Sequence, residues 1–263
     1  MPTKTTTPKK ASDKKVTKKT AVPSASALQE LLQAGVHFGH KTERWHPKMS
    51  PFIHSARNGI HIIDLIQTET RLKEAEKFVE QLTEQGKTVL FVATKRQAKA
   101  VVEKAAVDAG MPYVTHRWLG GMLTNWETIS SRLRHLKKLE AQRDEAADRL
   151  TKKERLRRDE EIAKLSKTFN GVRELTQLPE ALFIIDIPRE TIAIKEANHL
   201  NIPVIAMADT NANPEGVQYV VPANDDAVKS VALIVNRIAQ AAAKGAAAYA
   251  AKTKSDKIEE QEG

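Results

Sequence analysis

The chain of 263 residues contains no cysteine. That absence removes disulfides, thiol nucleophiles, Cys-ligated zinc and iron–sulfur clusters together, and it fits a reducing compartment. Long apolar runs are also missing. The longest, such as Val89-Leu90-Phe91-Val92-Ala93, reach about a quarter of the roughly 20 residues that a membrane-spanning helix needs. The first thirty residues lack the apolar segment of a secretory signal, so neither a membrane span nor secretion is expected. Glycine-rich phosphate loops are absent too. No G-x-G-x-x-G and no Walker-type sequence occurs, and the apolar run at 88–93 leads into Thr94-Lys95-Arg96-Gln97 without a glycine. Dinucleotide binding of the common kind is therefore not expected.

What the chain does have is positive charge, +9 overall from 42 Lys and Arg against 33 Asp and Glu. Its location is more informative than its size. Residues 1–20 hold seven Lys and one Asp, residues 128–170 hold 13 basic and 8 acidic side chains, and residues 171–263 hold 9 and 13. A basic tail, a basic middle segment and an acidic C-terminal third point to a polyanion, most simply nucleic acid. The tail, 1–24, is Lys, Thr, Ser, Ala and Pro with little to bury, and reads as disordered. Its lack of Arg argues against a mitochondrial presequence.

From Ser26 the pattern becomes that of a folded α/β chain. Leu28, Leu31, Leu32 and Val36 share a helical face, Asn58-Gly59 between Pro51–Ile53 and Ile60–Ile63 signals a β-hairpin, and Leu72 to Leu82 marks an amphipathic helix closed by Gly86. Continuous apolar strands at 88–93, 113–115, 181–185, 203–208 and 219–221 alternate with helices at 95–109, 191–199 and 225–243. Such alternation predicts a three-layer α/β sandwich around a mainly parallel sheet. Residues 124–170 interrupt it with two charged helices, each opened by a capping-box pattern, Thr124-x-x-Glu127 and Thr151-x-x-Glu154. Apolar stripes at Ile129, Leu133, Leu136 and Leu139, and at Ile162, Leu165 and Phe169, predict an antiparallel coiled-coil hairpin that projects from the body with a packed base. The expected organisation is an α/β domain at 25–123 and 171–245, the hairpin at 124–170, and a flexible tail at 246–263.

Several groups could carry chemistry. His37-x-x-His40, with His46, offers possible metal ligands, against the plainer reading of hydrogen-bonded loop histidines. Asp186 and Asp209 end apolar strands where α/β ligand crevices form. They could act as bases or hold Mg²⁺ with Asn211 or Asn213, or simply cap turns. No nucleophile accompanies them, so no catalytic residue, metal or cofactor is assigned. The Gly120-Gly121 amides could receive a phosphate. The strongest signal is His116-Arg117-Trp118-Leu119-Gly120-Gly121-Met122-Leu123-Thr124-Asn125-Trp126, a basic and aromatic loop entering a helix. Its Trp rings could stack on bases or seal the base of the hairpin.

At these residues the chain resembles the bacterial-type small-subunit ribosomal protein two family. The carrying stretches are Leu31–His40, Trp45–Ile53, Ala56–Ile63, His116–Trp126, Pro179–Asp186, Ala193–Asn198, Asn201–Val204 and Asp209–Asn211, collinear from about 26 to 240. The resemblance implies an α/β sandwich with a coiled-coil hairpin and a structural, non-catalytic role in the cytoplasmic small ribosomal subunit. It implies 16S rRNA as a partner, together with other ribosomal proteins, including the mRNA-binding ribosomal protein one, and no small-molecule substrate or membrane. The long Lys/Thr tail departs from the family pattern.

On that reading, charge and shape dominate RNA affinity. The expected contacts in the first half are Lys41, Arg44, Lys48 and Arg57, then Lys95 and Arg96 after the first long strand. The aromatic loop adds Arg117, Trp118 and Asn125, and the first hairpin helix adds Arg132, Arg134, Lys137 and Lys138. Two other classes compete: an enzyme using the crevice near Asp186 and Asp209, and a nucleic-acid-binding module outside the ribosome.

Overall fold

The computed structural model describes residues 23–145 and 151–262, so most of the tail expected at 1–24, and residues 146–150 in the middle of the expected hairpin, lie outside the described residues. Five strands, β4 (Val89–Val92), β5 (Tyr113–Val114), β6 (Ala181–Ile185), β7 (Val204–Ala208) and β8 (Tyr219–Pro222), form a wholly parallel sheet in the order β5-β4-β6-β7-β8. Helices bury both of its faces, which is why its strands are continuously apolar. Val89, Phe91, Phe183 and Ile205 pack on α2 (Leu65–Thr83), α3 (Lys99–Asp108) and α7 (Val228–Glu262). Leu90, Val92, Ile184 and Val204 turn the other way, towards α4 (Trp126–Glu145), α5 (Lys152–Phe169) and α6 (Thr191–His199). Alternate residues of one strand thus feed two cores, the three-layer arrangement the sequence predicts.

A second sheet, antiparallel in the order β1-β3-β2, joins β1 (Phe38–Lys41), β2 (Ile53–Arg57) and β3 (Ile60–Ile63) beyond α1 (Ala25–Gln33). The hairpin between β2 and β3 turns at Asn58 and Gly59, with φ of 49° and 74°. Strand β1 is unforeseen. It depends on Gly39, where an added Cβ would lie 2.6 Å from the Thr210 methyl carbon.

Three boundaries differ from expectation. Helix α3 starts at Lys99 rather than Lys95, because Lys95 turns inward to a cluster of carboxylates. Helix α7 continues to Glu262, through the segment expected to be a flexible tail. Gly245 lets it approach α2 closely, and Tyr249 lies over Gly86. The capping box forms at Thr151 and Glu154, but Thr124 gives its N–H and hydroxyl to Glu196 instead.

Helices α4 and α5 pack along each other. Leu133, Leu136, Leu139, Ile162 and Phe169 are buried between them and the body, and His135 meets Glu161 at 3.2 Å. Among the described residues, no helix is long and apolar enough to cross a membrane.

Candidate nucleic-acid interface

The strand order reverses between β4 and β6, and in open parallel sheets ligands enter at the carboxyl end beside such a reversal. Here the chain itself bridges that position, since Lys95 after β4 lies 3.5 Å from Asp186 after β6. The backbone N–H of His40 donates to Thr210 Oγ1 at 2.9 Å and to Asp209 Oδ1 at 3.2 Å, and the His46 N–H donates to the Thr210 carbonyl at 2.8 Å. The small sheet therefore sits against the carboxyl end of β7, beside that position. The Asp186 carboxylate accepts from the Arg189 N–H and serves a turn, whereas the Asp209 carboxylate accepts from the N–H groups of Thr210 and His40 and ties β1 to the end of β7.

The histidines do not converge as spaced in sequence. Burial lowers the pKa of His37, whose Nδ1 has no partner, and His46 Nδ1 accepts from the Lys48 N–H. His40 instead joins Asp209, at 3.1 Å, and Asp226, at 3.4 Å. The hydrogen bond to Asp209 raises its pKa despite partial burial. His40, Asp209 and Asp225 bring ligand-type atoms within 4.8 Å of one another, the one such group among the described residues and a donor set suited to a divalent cation.

Lys95 lies in this cluster, and this corrects its assignment as an RNA contact. It is buried, with Nζ 2.6 Å from Asp225 Oδ1, 2.7 Å from Asp226 Oδ1 and 3.5 Å from Asp186. Burial works against the ammonium, but the bonds to Asp225 and Asp226 outweigh it and raise its pKa. An ammonium committed to internal carboxylates is not available to a phosphate. Asp225 is itself pushed up to about 7 by burial and by the nearby Asp209.

Trp118 needs the same correction. The residue is 6% exposed, and its indole N–H donates to Glu196 Oε1 at 3.0 Å, so it seals the body rather than stacking on a base. Glu196 also accepts from the N–H groups of Gly121 at 2.8 Å, Leu123 at 3.0 Å and Thr124 at 3.2 Å. Of the Gly120 and Gly121 amides that could have received a phosphate, that of Gly121 thus holds an internal carboxylate. Burial opposes its charge, but these hydrogen bonds outweigh it and lower its pKa. Sequence reasoning missed Glu196. The available signal was an acid set among Ala193, Ile194 and Ala197, the buried face of α6.

The remaining expected contacts are on the surface. Lys41, Arg44, Lys48 and Arg57 are exposed around the small sheet, with Lys48 paired to Glu215. Arg96, Arg117 and Asn125 are exposed beside the buried Lys95 and Trp118. Arg132, Arg134, Lys137 and Lys138 are exposed along α4, with Lys137 2.9 Å from Glu174. They form separate groups rather than one pocket, which suits an extended polyanion better than a small substrate.

Comparison with known proteins bears on the family of the chain. The family model described as ribosomal protein S2 matches residues 31–245. The chain is 48% identical to small ribosomal subunit protein uS2 of Ruegeria pomeroyi, over 86% of this chain and 87% of that protein. It is 51% identical to the protein of the same name from Marinobacter nauticus, over 81% of this chain and 85% of the relative, and 51% identical to that from Roseiflexus sp., over 83% and 84%. Matches of this extent cover both sheets, the two charged helices and the aromatic loop, so the chain belongs to the ribosomal protein S2 family, a structural and non-enzymatic family.

Proposed function

We propose that the chain is a structural constituent of the cytoplasmic small ribosomal subunit, holding 16S rRNA through surface cations and helping to dock neighbouring ribosomal proteins. The observation that carries this reading is the division of α4. Leu133, Leu136 and Leu139 are buried, while Arg132, Arg134, Lys137 and Lys138 remain at the surface. One side fixes the helix to the body, and the other offers cations to phosphates. On this reading α4 and α5 project as a coiled-coil hairpin into the RNA. The acidic C-terminal third meets protein, including the mRNA-binding ribosomal protein one.

The test is incorporation. Reversing Arg132, Arg134, Lys137 and Lys138 to Glu lowers occupancy in small-subunit fractions of a gradient, while circular dichroism of the free protein stays unchanged. Full occupancy of the reversed chain would remove the hairpin from the RNA interface.

A further inference from the structure

A cavity of about 440 Å³ opens between α3, β5 and the C-terminal end of α5. The expected contacts did not include it. Its floor depends on one glycine: a Cβ at Gly171 would lie 2.2 Å from the Tyr113 carbonyl oxygen, so only glycine lets the end of α5 close against this edge strand. Lys99 and Lys167 line it from α3 and α5, and neither forms an ion pair among the described residues. The walls also carry the hydroxyl residues Ser166 and Thr168 and the imidazole of His116. Tyr113 donates its hydroxyl to Glu103 Oε1 at 3.0 Å, leaving that carboxylate able to accept further hydrogen bonds. Arg117, next to His116 in the chain, is exposed.

We infer that this cavity seats one unpaired nucleotide of RNA, with its phosphate towards Lys99 and Lys167 and its nucleoside towards Tyr113 and Glu103. The volume lies within the range of about 300–1,000 Å³ typical of small-ligand sites, too small for a helix and large enough for one splayed-out nucleotide. Charge sets the orientation. The single carboxylate repels phosphate, whereas it can accept from a base amino group or a 2′-hydroxyl. The two lysines come from different elements, so α3 and α5 each contribute a cation to the one cavity. The inference rests on the ribosomal reading above, which supplies RNA as the polyanion.

The test uses the full chain and a short labelled single-stranded oligoribonucleotide, followed by fluorescence anisotropy across a salt series. The double variant Lys99→Glu, Lys167→Glu is compared with an equal charge change on α7, Lys229→Glu with Lys252→Glu. The cavity pair is expected to lower affinity about tenfold, and its log affinity–log salt slope becomes shallower by about 1.4, as for two lost single-strand phosphate contacts. The α7 pair changes little. An oligonucleotide carrying 4-thiouridine should photo-cross-link to residues 113–116. Equal losses from both pairs, cross-links confined to other segments, or no binding by the unaltered chain would each overturn the inference. Co-sedimentation of the cavity variant with small subunits reports separately on the ribosomal reading.

Discussion

The carboxylate of Glu196 accepts the indole N–H of Trp118 at 3.0 Å, and that contact turns the most aromatic loop of the chain into a fixed element. The same side chain takes three backbone N–H groups and the Thr124 hydroxyl, so a single buried anion organises the entry to α4. Arg117 and Asn125 are held at the surface on either side of it.

Replacing Glu196 by Gln therefore does more than remove a charge. The amide –NH₂ would face the N–H groups of Leu123 and Thr124, which now share Oε2. Leaving such donors unpaired costs about 3 kcal/mol in all. Denaturant unfolding should show that loss at neutral pH. The pH dependence has a definite sign. The folded carboxyl titrates below its ordinary value of 4.5, so its contribution is complete above that value and disappears as pH falls through the depressed one. The stabilities of wild type and Glu196→Gln should converge in acid. A gap that stays constant down to acid pH would refute the account.

Glu190 predicts the opposite behaviour. It is 2% exposed, and one of its oxygens, Oε1, accepts both the N–H of Thr94 at 2.9 Å and the Thr94 hydroxyl at 2.5 Å. Burial raises its pKa in spite of those bonds. Ionising it therefore opposes folding, and stability falls as pH rises from 4.5 through the raised folded value. Glu190→Gln keeps an oxygen acceptor without a charge. The variant should equal or exceed wild type at neutral pH, with its advantage growing as pH rises from acid and then levelling. A destabilisation as large as that of Glu196→Gln would contradict this.

Lys95 separates folding from binding. Its side chain is 11% exposed among Asp186, Asp225 and Asp226, so Lys95→Met strands the poorly hydrated carboxylates of Asp186 and Asp225, while Asp226 stays open to water. Removing one partner of a buried pair costs about 3–5 kcal/mol. Because Asp225 already titrates at about 7, the damage should be greater above that pH, where the carboxylate must ionise without its partner. The neighbouring Arg96→Glu should leave stability near wild type and weaken RNA binding. Calorimetric melting of both variants distinguishes the roles, and equal melting temperatures would show Lys95 to be dispensable for folding.

What could be read from the sequence followed from how local each cause was. The five parallel strands were legible because burial on both faces requires unbroken apolar runs such as Ala181–Ile185. The hairpin at Asn58-Gly59 was legible because its turn chemistry is local. Strand β1 was not, since Phe38-Gly39-His40-Lys41 shows neither alternation nor an apolar run, and it is held by Thr210, 170 residues away. The site divided in the same way. Arg117 and the α4 cations are exposed as expected, whereas Lys95 and Trp118 look the same in sequence until distant carboxylates claim them.

Gly245 gives the clearest case of a residue whose meaning is tertiary. In the sequence it stands just beyond the helix expected at 225–243, and inside a helix a glycine is about 1 kcal/mol worse than alanine. In the structure an added Cβ would lie 2.0 Å from Thr83 Oγ1 and 2.4 Å from the Glu80 carbonyl oxygen, so the glycine sets the spacing between α2 and α7. Gly245→Ala should gain helix propensity yet lose stability, by about 1–3 kcal/mol of packing strain. Adding Thr83→Ala removes the nearer clash but not the backbone one, so it should restore only part of the loss. Unfolding midpoints of the single and double variants test this order. A single variant as stable as wild type would mean that α7 can move away from α2 without penalty, and the 2.0 Å approach would then be incidental to the fold.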